Sequence, residues 1–192
     1  MIIVTGGAGF IGSNFILKFL EASNENLLNL DNLSYAANLS NLKPIDTDPR
    51  YSFTKINIQN QSEVEEIVKE VKPRAILNFA AESHVDRSIE GPESFINTNI
   101  LGTYSLLEAA LNYWNDLDES GKKIFRFFHI STDEVFGSLD INDKKSTEES
   151  SYKPNSPYSA SKAASDHLVR AWHHTFKLPT LVSNCTNNYG PH

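Results

Sequence analysis

Tyr158 and Lys162 stand four residues apart in an amphipathic stretch, and residues at that spacing are neighbours on one face of a helix. An ammonium beside a phenol favours the phenolate, so the pair predicts a tyrosine with a lowered pKa that serves as a base near neutrality. Upstream, the apolar run from Ile124 ends in Ser131-Thr132-Asp133-Glu134. A hydroxyl, a phenol and a lysine together suit removal of an alcohol proton while hydride leaves the same carbon. Thr132 holds the substrate oxygen, Tyr158 takes its proton, and Lys162 tunes Tyr158 and binds a cofactor ribose. Alcohol oxidation alone leaves Asp133 and Glu134 idle. Once a carbon has become a ketone its neighbour is acidic, so Glu134 can act as base while Asp133, kept protonated by its site, donates to a departing hydroxyl. Oxidation followed by elimination uses both carboxyl groups. A role for them in capping the loop, or facing solvent, stays open on these residues alone.

Such a site needs a hydride carrier, and the amino terminus offers a place for one. In Thr5-Gly6-Gly7-Ala8-Gly9-Phe10-Ile11-Gly12 the residues Gly6, Gly9 and Gly12 recur every third position, after an apolar run and before an amphipathic one. The first glycine permits a tight turn, the second lets backbone approach a pyrophosphate, and the third lets the helix pack on the strand. The helix start then offers free N–H groups to phosphate. Asp31 closes the next apolar run, where a carboxylate accepts from an adenosine ribose and repels a 2'-phosphate. NAD is therefore the expected cofactor. A glycine turn used only for packing, with Asp31 as a turn residue, is the plain alternative, and FAD a lesser one.

The elements that must position these residues show as alternation. Short β-branched or apolar runs at Met1 to Thr5, Leu27 to Asp31, Tyr51 to Ile58, Ala75 to Ala80, Ile124 to Ser131 and Thr180 to Asn184 predict strands. Between them, Phe10 to Glu21, Ser62 to Val71, Pro92 to Trp114 and Tyr158 to Phe176 predict helices. In the third helix, Phe95, Ile96, Ile100, Leu101, Tyr104, Leu107 and Leu111 form one stripe, and Pro92 suits its first turn. Segments Ser34 to Arg50 and Leu139 to Pro157 predict long loops. The pattern is that of an α/β fold, a Rossmann-like doubly wound parallel sheet in three α/β/α layers.

Composition narrows the partners. The 192 residues suffice for one cored domain. Seventeen basic against 24 acidic side chains, a formal charge of -7, offer no track for a nucleic-acid backbone. The single cysteine, Cys185, excludes an internal disulfide and points to a reducing, cytoplasmic setting. Cys185 itself reads as a small buried hydrophobe after the last strand. No apolar stretch is long enough to span a bilayer. The histidines His84, His129, His167, His173, His174 and His192 lack ligand spacing, so no metal site is expected.

With the glycine turn, Asp31 and Tyr158-x-x-x-Lys162 in place, the chain resembles the extended short-chain dehydrogenase/reductase family of nucleotide-sugar enzymes. Four further segments, Ala80 to Ser88, Thr98 to Thr103, Ser131 to Gly137 and Asn184 to Pro191, resemble its dTDP-glucose 4,6-dehydratase branch, with the Asp-Glu pair the specific part. The resemblance implies a cycle on bound NAD: oxidation at C4 of the glucose ring, loss of water across C5 and C6, and hydride return to C6. It also implies that Phe10, Ile11, Asn32, Ser34, Asn57 and Ile58 meet the cofactor, and that Phe79, Ala80, Ala81 and Asn99 do so as well. Ser83, His84, Asp86, Thr132 and Asn187 are implied at the sugar, and a homodimer through the two long helices is implied as partner. Rival readings are a related UDP-sugar 4,6-dehydratase, a 4-epimerase or decarboxylase, and a non-catalytic NAD-binding module. The first two of these are enzymes; an epimerase or decarboxylase leaves Asp133 and Glu134 unexplained.

Two positions depart from the family pattern. Asn57 stands where the family has Asp near the adenine, which predicts weakened adenine recognition, and Phe136 stands where it has Tyr. Residues 1–192 correspond to the NAD-binding domain, whereas the family continues into a carboxy-terminal substrate domain. The expectation is a chain that folds and binds NAD but turns over poorly or not at all by itself.

Overall fold

The computed structural model describes residues 1–192. Six strands, β1 (Ile2–Thr5), β2 (Leu27–Asp31), β3 (Tyr51–Lys55), β4 (Ala75–Asn78), β5 (Arg126–Thr132) and β6 (Thr180–Cys185), form one sheet. Its order is β3-β2-β1-β4-β5-β6 and every pairing is parallel. The order reverses between β1 and β4, the switch point where a doubly wound sheet opens a crevice at its carboxyl edge.

Strand alternation sorts the core into two layers. Ile3, Leu28, Leu30, Ile76 and Phe127 face α2 (Gln61–Val71), α5 (Thr103–Asn115) and α7 (Pro157–Phe176). Ile2, Val4, Leu27 and Leu77 face α1 (Phe10–Ala22) and a 3-10 turn at Leu39–Ile45. That turn lies inside a segment expected to be loop; Asn38 caps it by accepting from the Ser40 N–H. No helix is long and apolar enough to cross a membrane.

Two strands, β3 and β4, stop short of the apolar runs at their carboxyl ends, whereas β5 and β6 run one residue past them. β3 stops at Lys55, and Asn57 turns the chain by accepting the Gln59 N–H at 3.0 Å. β4 stops at Asn78, after which the Ala80 N–H donates to the Thr5 hydroxyl at 3.3 Å instead of to a strand. β5 starts at Arg126 because Glu119–Ile124 forms a short helix, α6, capped by Asp118. β6 includes Cys185, which is half-buried rather than buried.

The expected helix from Pro92 to Trp114 is one path with a fault in it. A short turn α4 (Pro92–Phe95) passes into π-helical Ile96–Gly102 before α5 begins. Such bulges gather at functional sites because the extra residue re-aims side chains. A further short helix, α3 (Val85–Glu90), precedes it. Both α3 and α6 are too short to show a helical period.

Candidate active site

The glycine turn sits where β1 hands over to α1. Gly6 has φ +69°, and a Cβ there would lie 2.6 Å from both Cα and N of Ala80. A Cβ on Gly12 would lie 2.3 Å from the Gly6 carbonyl oxygen. The two glycines therefore let β1, α1 and the end of β4 close on one another. Gly9 is different: a Cβ there would meet only the Gly6 oxygen, at 3.4 Å. Gly9 caps α1 without a side-chain bond, so the helix starts with its N–H groups and dipole open to an anion.

Asp31 is buried at the tip of β2, accepting from the Ala8 N–H at 2.9 Å and the Leu33 N–H at 2.7 Å. It braces the glycine turn and also faces the crevice, so the turn-residue reading and the ribose reading describe one side chain. A carboxylate accepts about four hydrogen bonds, which leaves capacity for a ligand.

These residues line one cleft of about 290 Å³. Gly6, Gly9, Phe10, Ile11 and Gly12 form its floor, and Asp31, Asn32 and Ser34 one wall. Asn57 and Ile58 stand at one end, Tyr158 and Lys162 at the other, with Phe79, Ala80, Ala81 and Ser83 between them. Glu82, Thr98, Ile130 and Ser131 also line it, though the sequence reading assigns none of them a role. The π-helical register places Thr98 on this wall.

Asn99, expected at the cofactor, lies behind the cleft instead. Its amide donates to the Glu82 carbonyl at 3.0 Å and to the Ser161 hydroxyl at 2.8 Å, and its oxygen accepts from the Glu82 N–H at 2.9 Å. Ser165 donates to the Asn99 carbonyl at 2.7 Å. Asn99 thus ties the β4 loop to α7, a supporting task. His84, Asp86 and Asn187 are exposed and do not line the cleft.

At the β5 end, Thr132 caps a 3-10 turn, Asp133–Phe136, by accepting the Glu134 N–H at 3.2 Å, and its hydroxyl reaches Asp133 Oδ1 at 3.4 Å. The Thr132 hydroxyl expected at the substrate oxygen is thus also the cap of this turn. Opposite it, α7 starts at Pro157 behind a capping box between Ser156 and Ser159, which fixes Tyr158 in the first turn. Lys162, one turn on, donates to the Ile130 carbonyl at 2.7 Å.

The electrostatics correct one expectation. Tyr158 is not lowered but pushed up to about 12, first by burial and then by the charge of Glu134, with Asp133 and Asp166 adding to it; the Thr132 hydroxyl pulls the other way. Lys162 is pulled down to about 8 by burial, against the charges of Asp166 and Cys185. Glu134 is raised, by burial first and by Asp133 second. The turn Asp133–Phe136 packs against α7, with Asp133 half-buried and Glu134 exposed, and of these groups Tyr158 lines the cleft.

Comparison with known proteins fits this geometry. The family described as GDP-mannose 4,6 dehydratase matches residues 3–192. The dTDP-glucose 4,6-dehydratase of Haemophilus influenzae is 53% identical over 189 residues, covering 98% of this chain and 56% of that protein. The chain thus spans just over half the length of that relative. The structure of the Streptomyces venezuelae dTDP-glucose 4,6-dehydratase, solved with NAD and TYD bound, superposes with a TM-score of 0.90 at 43% identity, over 99% of this chain and 56% of the other. The UDP-glucose 4-epimerase of Thermotoga maritima, solved with UDP-glucose, gives 0.84 at 27% identity, over 99% and 56%.

Proposed function

The chain belongs to the GDP-mannose 4,6 dehydratase family, and on that premise we propose that it is the NAD-binding part of a dTDP-glucose 4,6-dehydratase. What supports the reading is that the turn carrying two carboxyl groups, Asp133 and Glu134, packs against α7, whose Tyr158 lines the same cleft as the glycine turn. The family description names GDP-mannose, but 53% identity to a dTDP-glucose enzyme weighs more heavily than the family's breadth. An epimerase reading has 27% identity behind it and no task for the two carboxyls.

The cleft suits NAD on the chain's own evidence. Gly9 leaves open room beside an uncapped helix start, and Asp31 keeps acceptor capacity for ribose hydroxyls. NAD, when bound, supplies the hydride acceptor for C4 and donor for C6, and its positive nicotinamide favours a phenolate nearby. Thr132 and Tyr158 then hold the C4 hydroxyl, and Tyr158 removes its proton. Glu134, raised above its usual range by burial and by Asp133, takes the C5 proton made acidic by the new ketone, and Asp133 protonates the C6 hydroxyl as it leaves as water. Ser83, His84, Asp86 and Asn187 complete the sugar's surroundings when the rest of the fold closes on it, and Lys162 holds the cofactor ribose.

A homodimer is part of the same proposal. Leu101 and Tyr104 are exposed on the path from α4 to α5, and Tyr104, Trp172 and Phe176 form a continuous aromatic strip, at 5.9 and 5.5 Å between ring centres. An apolar strip of this kind across two long helices suits a partner copy.

The test is product analysis. The 192-residue protein, and the same chain joined to the remaining length that its relatives have, are incubated with NAD and either dTDP-glucose or UDP-glucose in deuterated water. The extended chain should convert dTDP-glucose to a product lighter by one water and labelled at C5, and its Glu134→Gln variant should bind NAD yet form none. Formation of a C4 epimer without loss of water would replace this reading with the epimerase one.

A further inference from the structure

Behind the catalytic face lies a buried polar cluster that the reaction above does not use. Asp166 is 3% exposed, one helical turn beyond Lys162 and two beyond Tyr158 on α7. Its Oδ2 accepts from the Ser131 hydroxyl at 2.8 Å, from the Tyr152 phenol at 2.9 Å and from the Asn184 amide at 3.3 Å. Its Oδ1 lies 3.4 Å from Nε2 of His129. One carboxylate therefore joins α7 to β5, to the end of β6 and to the loop before α7. Asn184 passes the link on by donating to the Thr132 carbonyl at 3.2 Å.

His129 does not neutralise this carboxylate. Its Nδ1 lies 3.1 Å from the Asn78 amide nitrogen, whose oxygen accepts from Thr5 at 2.7 Å. The Asn78 amide must then donate, which leaves the ring's single proton on Nε2, facing Asp166. Burial, followed by the charge of Lys162, pulls His129 down to about 4, so the ring is neutral at pH 7. The groups facing Lys162 and Asp166 are His129 from β5, Cys185 from β6, Tyr152 from the loop, and Tyr158 on α7 itself. Tyr152 is pushed up to about 12, by burial first, and so stays a neutral donor. Asp166 is thus the charged group left to balance a 3% exposed ammonium.

We propose that Asp166 is a positioning residue: it keeps Lys162 protonated at the cofactor cleft and, through Ser131 and Asn184, holds the Thr132 turn in register with α7. With one proton committed to the Ile130 carbonyl, Lys162, which lines the cleft, keeps two more to donate while it is charged and one when it is not. A buried ammonium without a neighbouring anion loses its proton readily. The proposal borrows from the functional reading only the place of Lys162 at the cleft. It is read on Lys162 itself, so absence of dehydratase activity does not decide it.

The experiment follows the 13C signal of Lys162 Cε, assigned with Lys162→Met, in the 192-residue protein across pH. In Asp166→Asn the titration midpoint of Lys162 should fall by about one unit or more, and NADH, used as a fluorescent probe, should bind about ten-fold more weakly at pH 8 than at pH 6.5. Tyr152→Phe removes a hydrogen bond but keeps the charge, and should leave the midpoint in place. An unchanged midpoint in Asp166→Asn, or an equal fall in Tyr152→Phe, overturns the proposal. If Asp166→Asn does not fold, the cycle with Lys162→Met decides. Asp166→Asn should be tolerated better in the Lys162→Met background, and equal failure in both backgrounds overturns the charge-balancing role.

Discussion

The carboxylate of Asp31 accepts the backbone N–H of Ala8 at 2.9 Å, so the tip of β2 holds the glycine turn from the side opposite α1. Asp31 therefore braces the glycine turn while lining the cleft, so on the proposed reading a substitution there should touch cofactor binding twice. Asp31→Ala strips partners from the Ala8 and Leu33 N–H groups, each costing about 1–3 kcal/mol if left unpaired. NADH affinity should fall at least ten-fold, with the urea midpoint falling alongside. Asp31→Asn keeps one acceptor oxygen but turns an NH2 toward the other backbone N–H, so it should lose affinity and about half the stability that Asp31→Ala loses. Equal stability loss in both variants would show that the charge, and not the brace, dominates.

The three glycines should respond unequally. Gly6→Ala forces φ +69° on an L side chain and drives a methyl into Ala80. The left-handed conformation alone costs about 1–2 kcal/mol, so stability should drop by about 2 kcal/mol or more. Gly9→Ala meets only one oxygen at 3.4 Å, so the fold should hold within about 1 kcal/mol while NADH binding is lost to a methyl in the cleft. Denaturant unfolding and fluorescence titration on the same samples separate the two effects. A Gly9→Ala protein that binds NADH normally would move the pyrophosphate elsewhere.

Much of this arrangement was legible in the sequence because it depends on local patterns. Glycine spacing, Asp31 at a strand end and the Tyr158–Lys162 pair each act within one turn or one strand, and the alternation of runs carries the sheet. What escaped was written in contacts across the chain. The π-helical stretch keeps an apolar stripe much like that of an α-helix, so its shift in register is invisible until Asn99 is seen clasping Glu82 and Ser161. His129 and Asp166 are ordinary polar residues in sequence; only the pairing of β5 with β6 and the packing of α7 make them one buried cluster. The Tyr158 shift runs opposite to expectation for the same reason, since the burial and the three carboxylates that raise it come from folding.

The aromatic strip on α5 and α7 gives a test of assembly. Tyr104→Glu places a charge beside Trp172 and in the middle of the exposed strip, where burial against a partner copy penalises it strongly. Light scattering should show a dimer for the unmodified chain and a monomer for Tyr104→Glu, with the far-ultraviolet circular dichroism unchanged. An unmodified chain that is monomeric at roughly 100 μM, where a Kd of 1 μM would leave it almost wholly dimeric, removes the strip from the interface.

His129 sets how stability depends on pH. Its folded pKa of about 4 lies below the ordinary value of 6.5, so between these values the unfolded chain binds a proton that the folded chain refuses. Stability contributed by the neutral buried ring is thus complete above about pH 6.5 and is lost as pH falls toward 4, by roughly 3 kcal/mol over the whole window. Asp166, held below its usual range by His129, Ser131 and Lys162 against the opposing effect of burial, adds a further loss at still lower pH. Urea unfolding at pH 7.5, 6, 5 and 4.5 should show a midpoint that declines through this window. His129→Gln should start lower at pH 7.5, because the neighbouring Asn78 and Asp166 lose their partner, yet decline less steeply from there to pH 4.5. Parallel curves for the two proteins would assign the acid sensitivity to other groups.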